Sequence, residues 1–279
     1  MRCFIVLKIS NKVFFASLMV FSLFVFSGCG SDTGKTSEPE KSAITIGVTP
    51  GPHAEIMEEV KKVAAKEGLD IKIVEFSDYI QPNVALSNGE IDANSYQHQP
   101  FLDAQIADRG YKIESIAKTV IFPMAVYSKK LKSLTDIQDG AIVSIPNDPT
   151  NGGRALLILE KAGLLKLKGN VGLSATVADI TENPQHLQIK ELEAAQVALS
   201  LTDVDFAVIN TNYATQAGLV PNRDALFIED GKSPYANVLV VRSEDKDKAV
   251  FKKLIKAYQS DEVKQFITDH FQGSGTAAW

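Results

Sequence analysis

AITIGVTPGPHAEIMEEVKKVAAKEGLDIKIVEF, residues 43–76, decides the fold. Ala43 to Thr49 is a short β-rich run that ends at the turn Pro50-Gly51-Pro52. Ala54 to Glu67 then reads as a charged amphipathic helix. Ile56, Val60, Val63 and Ala64 fall along one face, and Gly68 stops it. Asp70 to Phe76 is a second strand with alternating apolar positions. Strand, turn, helix and strand in about 30 residues make the repeating unit of an open α/β layer.

The same alternation continues outward. Helices are expected over Pro82–Leu86 and Pro100–Arg109, and strands over Ile91–Ser95, Ile113–Thr119 and Met124–Ser128. It then starts afresh. Leu134–Gln138 is a short helix, Ala141–Pro146 a strand, and Asn151–Ala162 an Ala/Leu-rich helix closed by Gly163. Gln188–Leu192 and Phe206–Asn210 are strands around the helix Ala194–Leu199. Asn237–Arg242 is a late apolar strand, and Lys246 to Phe271 reads as one or two helices. Two such sets predict two lobes with mostly parallel sheets, residues 43–127 plus 234–279 and residues 128–233, joined by two crossings near Tyr127-Ser128 and Lys232-Ser233. Ligands of open α/β sheets sit beyond the carboxyl ends of the strands, so a cleft between the lobes is the expected site.

The N-terminus reads as an address. Arg2, Lys8 and Lys12 precede an almost unbroken apolar run, Val13 to Phe26, which is short for a bilayer span of about 20 residues. Phe26-Ser27-Gly28-Cys29 resembles a bacterial lipobox, in which the cysteine is lipidated and becomes the mature N-terminus. That implies a signal peptide over residues 1–28, lipidation at Cys29 and a flexible polar tether over residues 29–42. Acyl chains contribute about 0.8 kcal/mol per buried CH₂, so several together hold a soluble domain at a membrane.

Cysteine count and charge exclude several classes. The two cysteines, Cys3 and Cys29, lie at or before the expected cut, so the folded body has no disulfide, cysteine nucleophile or cysteine metal site. The net charge of −5 falls to near −8 once the basic leader is removed. With no concentrated basic patch, nucleic acid is not an expected partner. His53, His98, His186 and His270 are scattered, and G-x-S-x-G, H-E-x-x-H and P-loop patterns are absent. Neither an enzyme nor a metal or other cofactor is expected.

Polar and aromatic residues gather where strands end. They form Phe76-Ser77-Asp78-Tyr79, Asp92 to Pro100, Pro146 to Arg154, Ile209 to Tyr213 and Ser233 to Asn237. At these positions the chain resembles the methionine-binding lipoprotein family of ABC importers, also called the NlpA family. TPGPHAEI, DANSYQHQPFL, IPNDPTNGGRALLIL, VINTNYA and SPYANVLVVR carry the resemblance. It implies a two-lobed periplasmic-binding-protein fold of type 2 and L-methionine as the small-molecule ligand. It also implies delivery to an ABC importer of permease and ATPase at a membrane facing the periplasm or cell exterior.

Side chains suited to that ligand are present. Arg154 offers a planar fork for a carboxylate near a helix N-terminus. By itself it suits a surface salt bridge equally well, and the resemblance assigns it to the ligand. Asn210, Asn212 and Asn237 offer amide oxygens to an ammonium, with no means of choosing between the first two. Asn147 leans toward ligand contact, whereas Asn151 reads as a cap. Tyr79, Tyr96 and His98 are candidates for the wall around a thioether, where sulfur beside an aromatic ring contributes about 0.3–1.5 kcal/mol. Phe76 and Phe122 read as core. The competing readings are a binding protein for another amino acid or a methionine-containing dipeptide, and a surface lipoprotein with an adhesive or structural role.

Overall fold

The structure, a computed structural model, describes residues 42–230 and 234–279. The expected leader, Cys29 and the crossing at Lys232-Ser233 lie outside these residues, as does all of the tether but its last residue. The strands are β1 (Ala43–Val48), β2 (Asp70–Glu75), β3 (Ala93–His98), β4 (Ile113–Lys118), β5 (Val120–Ile121), β6 (Ala125–Tyr127) and β7 (Ile142–Pro146). They continue as β8 (Lys166–Leu167), β9 (Ile180–Glu182), β10 (Gln188–Leu192), β11 (Phe206–Ile209), β12 (Phe227–Ile228), β13 (Asn237–Arg242) and β14 (Thr276–Ala277). The helices are α1 (Pro52–Ala65), α2 (Gln81–Ser87), α3 (Gln99–Arg109), α4 (Pro149–Lys161) and α5 (Ala194–Val197). After them come α6 (Thr211–Gln216), α7 (Pro221–Asp224), α8 (Ala249–Tyr258) and α9 (Asp261–Phe271).

Two five-stranded sheets organise two lobes. Their orders, β2-β1-β3-β13-β4 and β10-β7-β11-β6-β12, repeat one plan. In each, three strands run parallel and the fourth enters antiparallel to both neighbours. That fourth strand follows a crossing between lobes: β6 opens the second lobe and β13 returns to the first. The sheets are therefore mixed, where mostly parallel ones were expected. The first change of sheet also falls earlier than Tyr127-Ser128. Ala125–Tyr127 pairs with Ala207–Ile209 in the second sheet, so the crossing occupies the stretch between β4 and β6. A three-residue apolar strand says nothing about which sheet it will join.

Both sheets are covered on both faces, which explains the continuous apolar runs of their central strands. Along β13, Leu239 and Val241 pack with Ile46, Ile56 of α1, Leu254 of α8 and Ile267 of α9. Val238 and Val240 point the other way, against Leu86 of α2 and Leu102 of α3. Along β11, Phe206 and Val208 meet Leu156 and Leu159 of α4, while Ala207 and Ile209 meet Val197 of α5 and Ala214 of α6. Each of the Val, Leu, Ile and Phe side chains among them contributes about 1.5–3 kcal/mol on burial. No helix among the described residues is long and apolar enough to cross a membrane.

Candidate ligand-binding site

The carboxyl ends of β1, β3, β7 and β11 bring the polar segments to one place between the lobes. The clearest local construction is the start of α4. Asp148 is its N-cap, accepting from the Asn151 N–H at 2.9 Å, and Pro149 occupies the first turn. Gly152 and Gly153 let the helix come close to neighbouring backbone. A Cβ on Gly152 would stand 2.8 Å from the Pro146 carbonyl oxygen, and one on Gly153 would stand 2.5 Å from that of Leu173. The helix begins two residues before the expected Asn151, so Arg154 sits in its second turn rather than its first.

Arg154 is 3 % exposed and forms an ion pair with Glu229. Its Nε donates to Glu229 Oε1 at 3.1 Å, its Nη2 donates to Oε2, and Nη2 also reaches the Phe122 carbonyl at 2.9 Å. The guanidinium lies 4.3 Å over the Tyr235 ring. The bidentate edge expected for a ligand carboxylate is thus engaged within the protein. Nη1 is the nitrogen without a hydrogen-bond partner among the described residues.

Four asparagines set the polar pattern around it. Asn151 donates to the Asp148 carboxylate at 2.9 Å and accepts at Oδ1 from Asn210 Nδ2, also at 2.9 Å. This relay orients Asn210 and leaves its buried Oδ1 without a partner. Asn212 is oriented by Tyr79, whose hydroxyl donates to its Oδ1 at 2.6 Å, and its buried Nδ2 is left without one. Asn237 donates from Nδ2 to the Tyr96 carbonyl at 3.1 Å and to His53 Nε2 at 2.8 Å. The Tyr96 carbonyl can only accept, so it fixes the amide orientation and reserves Oδ1 for other contacts.

Both buried histidines are neutral, with assignable tautomers. His53 Nε2 accepts from Asn237, so its proton is on Nδ1 and is donated to Thr49 Oγ1 at 2.7 Å. His98 accepts at Nδ1 from the Phe101 N–H at 3.1 Å, capping α3, and donates from Nε2 to Asn151 Oδ1 at 3.1 Å. Burial pushes each histidine down to about 3, and the nearby Arg154 cation adds to the effect at His98. Burial likewise holds the Tyr79 and Tyr96 hydroxyls well above their ordinary range, so both remain neutral donors.

These groups line one cavity between the lobes. Tyr79, Tyr96, Phe101, Phe122 and Met124 provide its apolar wall. Hydrogen bonds join the lobes around it: Tyr79 to Asn212, His98 to Asn151, and the Tyr213 hydroxyl to the Ser77 carbonyl at 3.2 Å. The arrangement suits a zwitterion. Arg154 Nη1 and Asn212 Nδ2 are donors for a carboxylate, and Asn210 Oδ1 and Asn237 Oδ1 are acceptors for an ammonium.

The structure brings Tyr79, Tyr96, His98, Arg154, Asn210, Asn212 and Asn237 to this cavity. Asn147 lies outside it, exposed in an adjoining cleft, where its Nδ2 donates to Glu193 at 2.9 Å. Asn151, read from sequence as a cap, lines the cavity, and Asp148 is the cap in its place. Phe122, read as core, belongs both to a core cluster and to the cavity wall. His53, Phe101 and Met124 also line the cavity without having been singled out by the sequence. His53 follows the Pro50-Gly51-Pro52 turn at the carboxyl end of the first strand, and that position was the available signal. Among the described residues no cluster of His, Cys, Asp and Glu suited to a metal ion occurs.

Comparison with known proteins adds an independent line. Residues 44–279 match the profile of the NlpA lipoprotein family. The D-methionine-binding lipoprotein MetQ of Salmonella typhimurium is 49% identical over 271 residues, covering 96% of this chain and 98% of that one. A nutrient-binding protein from Burkholderia cenocepacia, solved bound to methionine, superposes with a TM-score of 0.82 at 54% identity, covering 85% of this chain and 100% of that one. The crystal structure of the methionine-binding protein MetQ superposes at 0.84 with 51% identity, covering 85% and 98%. With its profile match running from the first strand to the last residue and its two-lobed fold shared with these proteins, the chain belongs to the NlpA lipoprotein family.

Proposed function

We propose that the protein is the substrate-binding component of a methionine importer. It encloses methionine between its lobes and presents it to the permease and ATPase of an ABC transporter. Acyl chains on Cys29 tether it to the membrane. The reading rests above all on one observation: a buried acceptor, Asn210 Oδ1, and a buried donor, Asn212 Nδ2, lack partners beside Arg154 and an aromatic wall. Each such group costs about 1–3 kcal/mol when left unpaired. An amino-acid head group supplies both missing partners. Tyr79, Tyr96 and Met124 suit a flexible thioether. The names of the relatives, lipoproteins and methionine-binding proteins, agree with this role, and the family is one of transport proteins rather than of enzymes.

Mass spectrometry of small molecules released from the purified, denatured protein tests the reading. Methionine is expected. Protein stripped by unfolding and refolding is then titrated with both enantiomers by calorimetry. The family resemblance implies the L form, and the Salmonella relative is named for the D form. If neither enantiomer binds and a different solute is released, the assignment of methionine fails.

A further inference from the structure

We propose that Glu229 sets the charge selectivity of the cavity. By neutralising and orienting Arg154, it restricts the site to zwitterions and rejects carboxylates that lack an ammonium. The proposal rests on the reading that the cavity takes an amino acid.

The geometry gives Glu229 a fixed place. It directly follows β12, and its carboxylate accepts from Arg154 Nε and Nη2. The Met124 N–H donates to Glu229 Oε2 at 3.1 Å, and the Glu229 N–H donates back to the Met124 carbonyl at 3.0 Å. Met124 belongs to the first crossing between lobes, and Glu229 opens the second. Arg154 is held to the first crossing again through the Phe122 carbonyl. Both crossings therefore converge on one guanidinium, and Met124 and Phe122 are themselves walls of the cavity.

The consequence is electrostatic. The two side chains are only 4% and 12% exposed, so solvent screens the pair weakly. An uncompensated buried guanidinium would attract any carboxylate. With Glu229 against it, a ligand anion meets attraction from one partner and repulsion from the other. A zwitterion escapes this, because its ammonium carries compensating charge to Asn210 Oδ1 and Asn237 Oδ1. A purely structural Glu229 would hold Arg154 in place but would not set ligand charge preference.

Three ligands of one shape separate these cases: methionine, its deamino analogue 4-(methylthio)butanoate, and its decarboxy analogue 3-(methylthio)propan-1-amine. In the unaltered protein both analogues are expected to bind far more weakly than methionine, by factors within about tenfold of each other. Deamino analogue binding close to that of methionine would overturn the proposal without any variant. Glu229→Gln keeps an acceptor for Arg154 and for Met124 but removes the charge. It should raise the affinity of 4-(methylthio)butanoate relative to methionine about tenfold or more, as expected for one uncompensated charge at an effective dielectric constant near 20. Glu229→Asp keeps the charge and should leave that ratio within about threefold of the parent's. An unchanged ratio in folded Glu229→Gln overturns the proposal. If the parent binds no methionine, the methionine reading falls separately. Leucine, 4-methylpentanoate and 3-methylbutan-1-amine then give the same comparison and decide the role of Glu229 in the same way.

Discussion

Two clusters of buried amides stand near each other in this protein, and only one of them is complete. In the first, Asn83, Asn94 and Gln97 satisfy one another. Asn83 Nδ2 donates to Gln97 Oε1 at 2.9 Å, while Asn83 Oδ1 accepts from Asn94 at 2.9 Å and from Gln97 at 2.7 Å. Asn94 Oδ1 accepts from Gln97 at 3.0 Å, and none of these amide atoms is left without a partner. In the second, Asn151, Asn210, Asn212 and Asn237 are oriented by their neighbours just as firmly, yet Asn210 Oδ1 and Asn212 Nδ2 have nothing to bond. Both are built from side-chain amides, and the burial is similar. What differs is whether the polar count closes within the protein. A closed cluster stabilises the fold, whereas an open one stores an unpaired cost that a ligand relieves.

The largest test of this contrast is Arg154→Ala. It removes the cation from the open cluster and also strands Glu229. Losing a buried charge partner typically costs about 2–5 kcal/mol in binding, or roughly 30- to several-thousand-fold in affinity. The same change breaks a buried ion pair, so unliganded stability should fall by about 3–5 kcal/mol. Calorimetry and thermal unfolding should therefore both register the change. If methionine binding survives intact, the carboxylate is held elsewhere and the open cluster is not the head-group site.

Acid sharpens the contrast, because two buried histidines are hydrogen-bonded to amides of the open cluster, His53 to Asn237 and His98 to Asn151. His53 and His98 are held neutral, each at about 3 in the folded state against 6.5 ordinarily. The unfolded chain binds more protons than the folded one between those values, so stability rises with pH across that window. It should be fully present above about pH 6.5 and fall progressively below it. The slope is at most about 1.4 kcal/mol per pH unit for each histidine. Depressed carboxylates such as Asp224, at about 2 in the folded state, join only below their ordinary value of 3.8. Melting temperatures from pH 7 to 4.5 therefore read the histidines, and a His53→Gln variant should show a shallower slope. A flat profile in the parent would mean that the histidines are not held neutral.

Exchanging one amide from each cluster tests the contrast directly. Asn83→Ala should strand Asn94 and Gln97, lowering stability by about 1–3 kcal/mol with affinity nearly unchanged. Asn210→Ala removes the unused Oδ1 together with the Nδ2 bond to Asn151, whose Oδ1 keeps the His98 donor, so it should weaken binding by a similar amount with a smaller loss of stability. Denaturant unfolding and calorimetry on the two variants give four numbers. The opposite pairing of losses would refute the distinction between closed and open clusters.

Much of this architecture was legible from residue order. The strand–turn–helix reading of residues 43–76 matches β1, α1 and β2 to within two residues at each boundary, because period-two and period-3.6 apolar patterns there are long and uninterrupted. Polar segments at strand ends led to seven cavity residues. Pairings between distant residues were not legible. Nothing near Arg154 in sequence announces Glu229, 75 residues away. The roles of Asn147 and Asn151 were reversed because both lie in one helix-start motif, and only the observed boundary decides which faces inward. Short strands such as Ala125–Tyr127 carry too few residues to show which sheet they join.

The smallest expected effect concerns orientation alone. Asn212 presents Nδ2 to the cavity because the Tyr79 hydroxyl donates to its Oδ1 at 2.6 Å. Without that donor the amide can turn over, since oxygen and nitrogen occupy nearly the same volume, and the cavity would gain an acceptor where it had a donor. Tyr79→Phe keeps the aromatic wall and its contact with Tyr96, at 5.8 Å between ring centres, and removes only the hydroxyl. One neutral hydrogen bond contributes about 0.5–1.5 kcal/mol, so affinity should fall by roughly two- to twelvefold while stability changes little. Tyr213→Phe is the matched control. Its hydroxyl also crosses between lobes, to the Ser77 carbonyl, but touches none of the cavity amides. It should leave affinity within about twofold of the parent, since one lost neutral bond away from the ligand bears mainly on stability. Equal losses in both variants would show that contact between lobes, rather than the orientation of Asn212, is what the Tyr79 hydroxyl supplies.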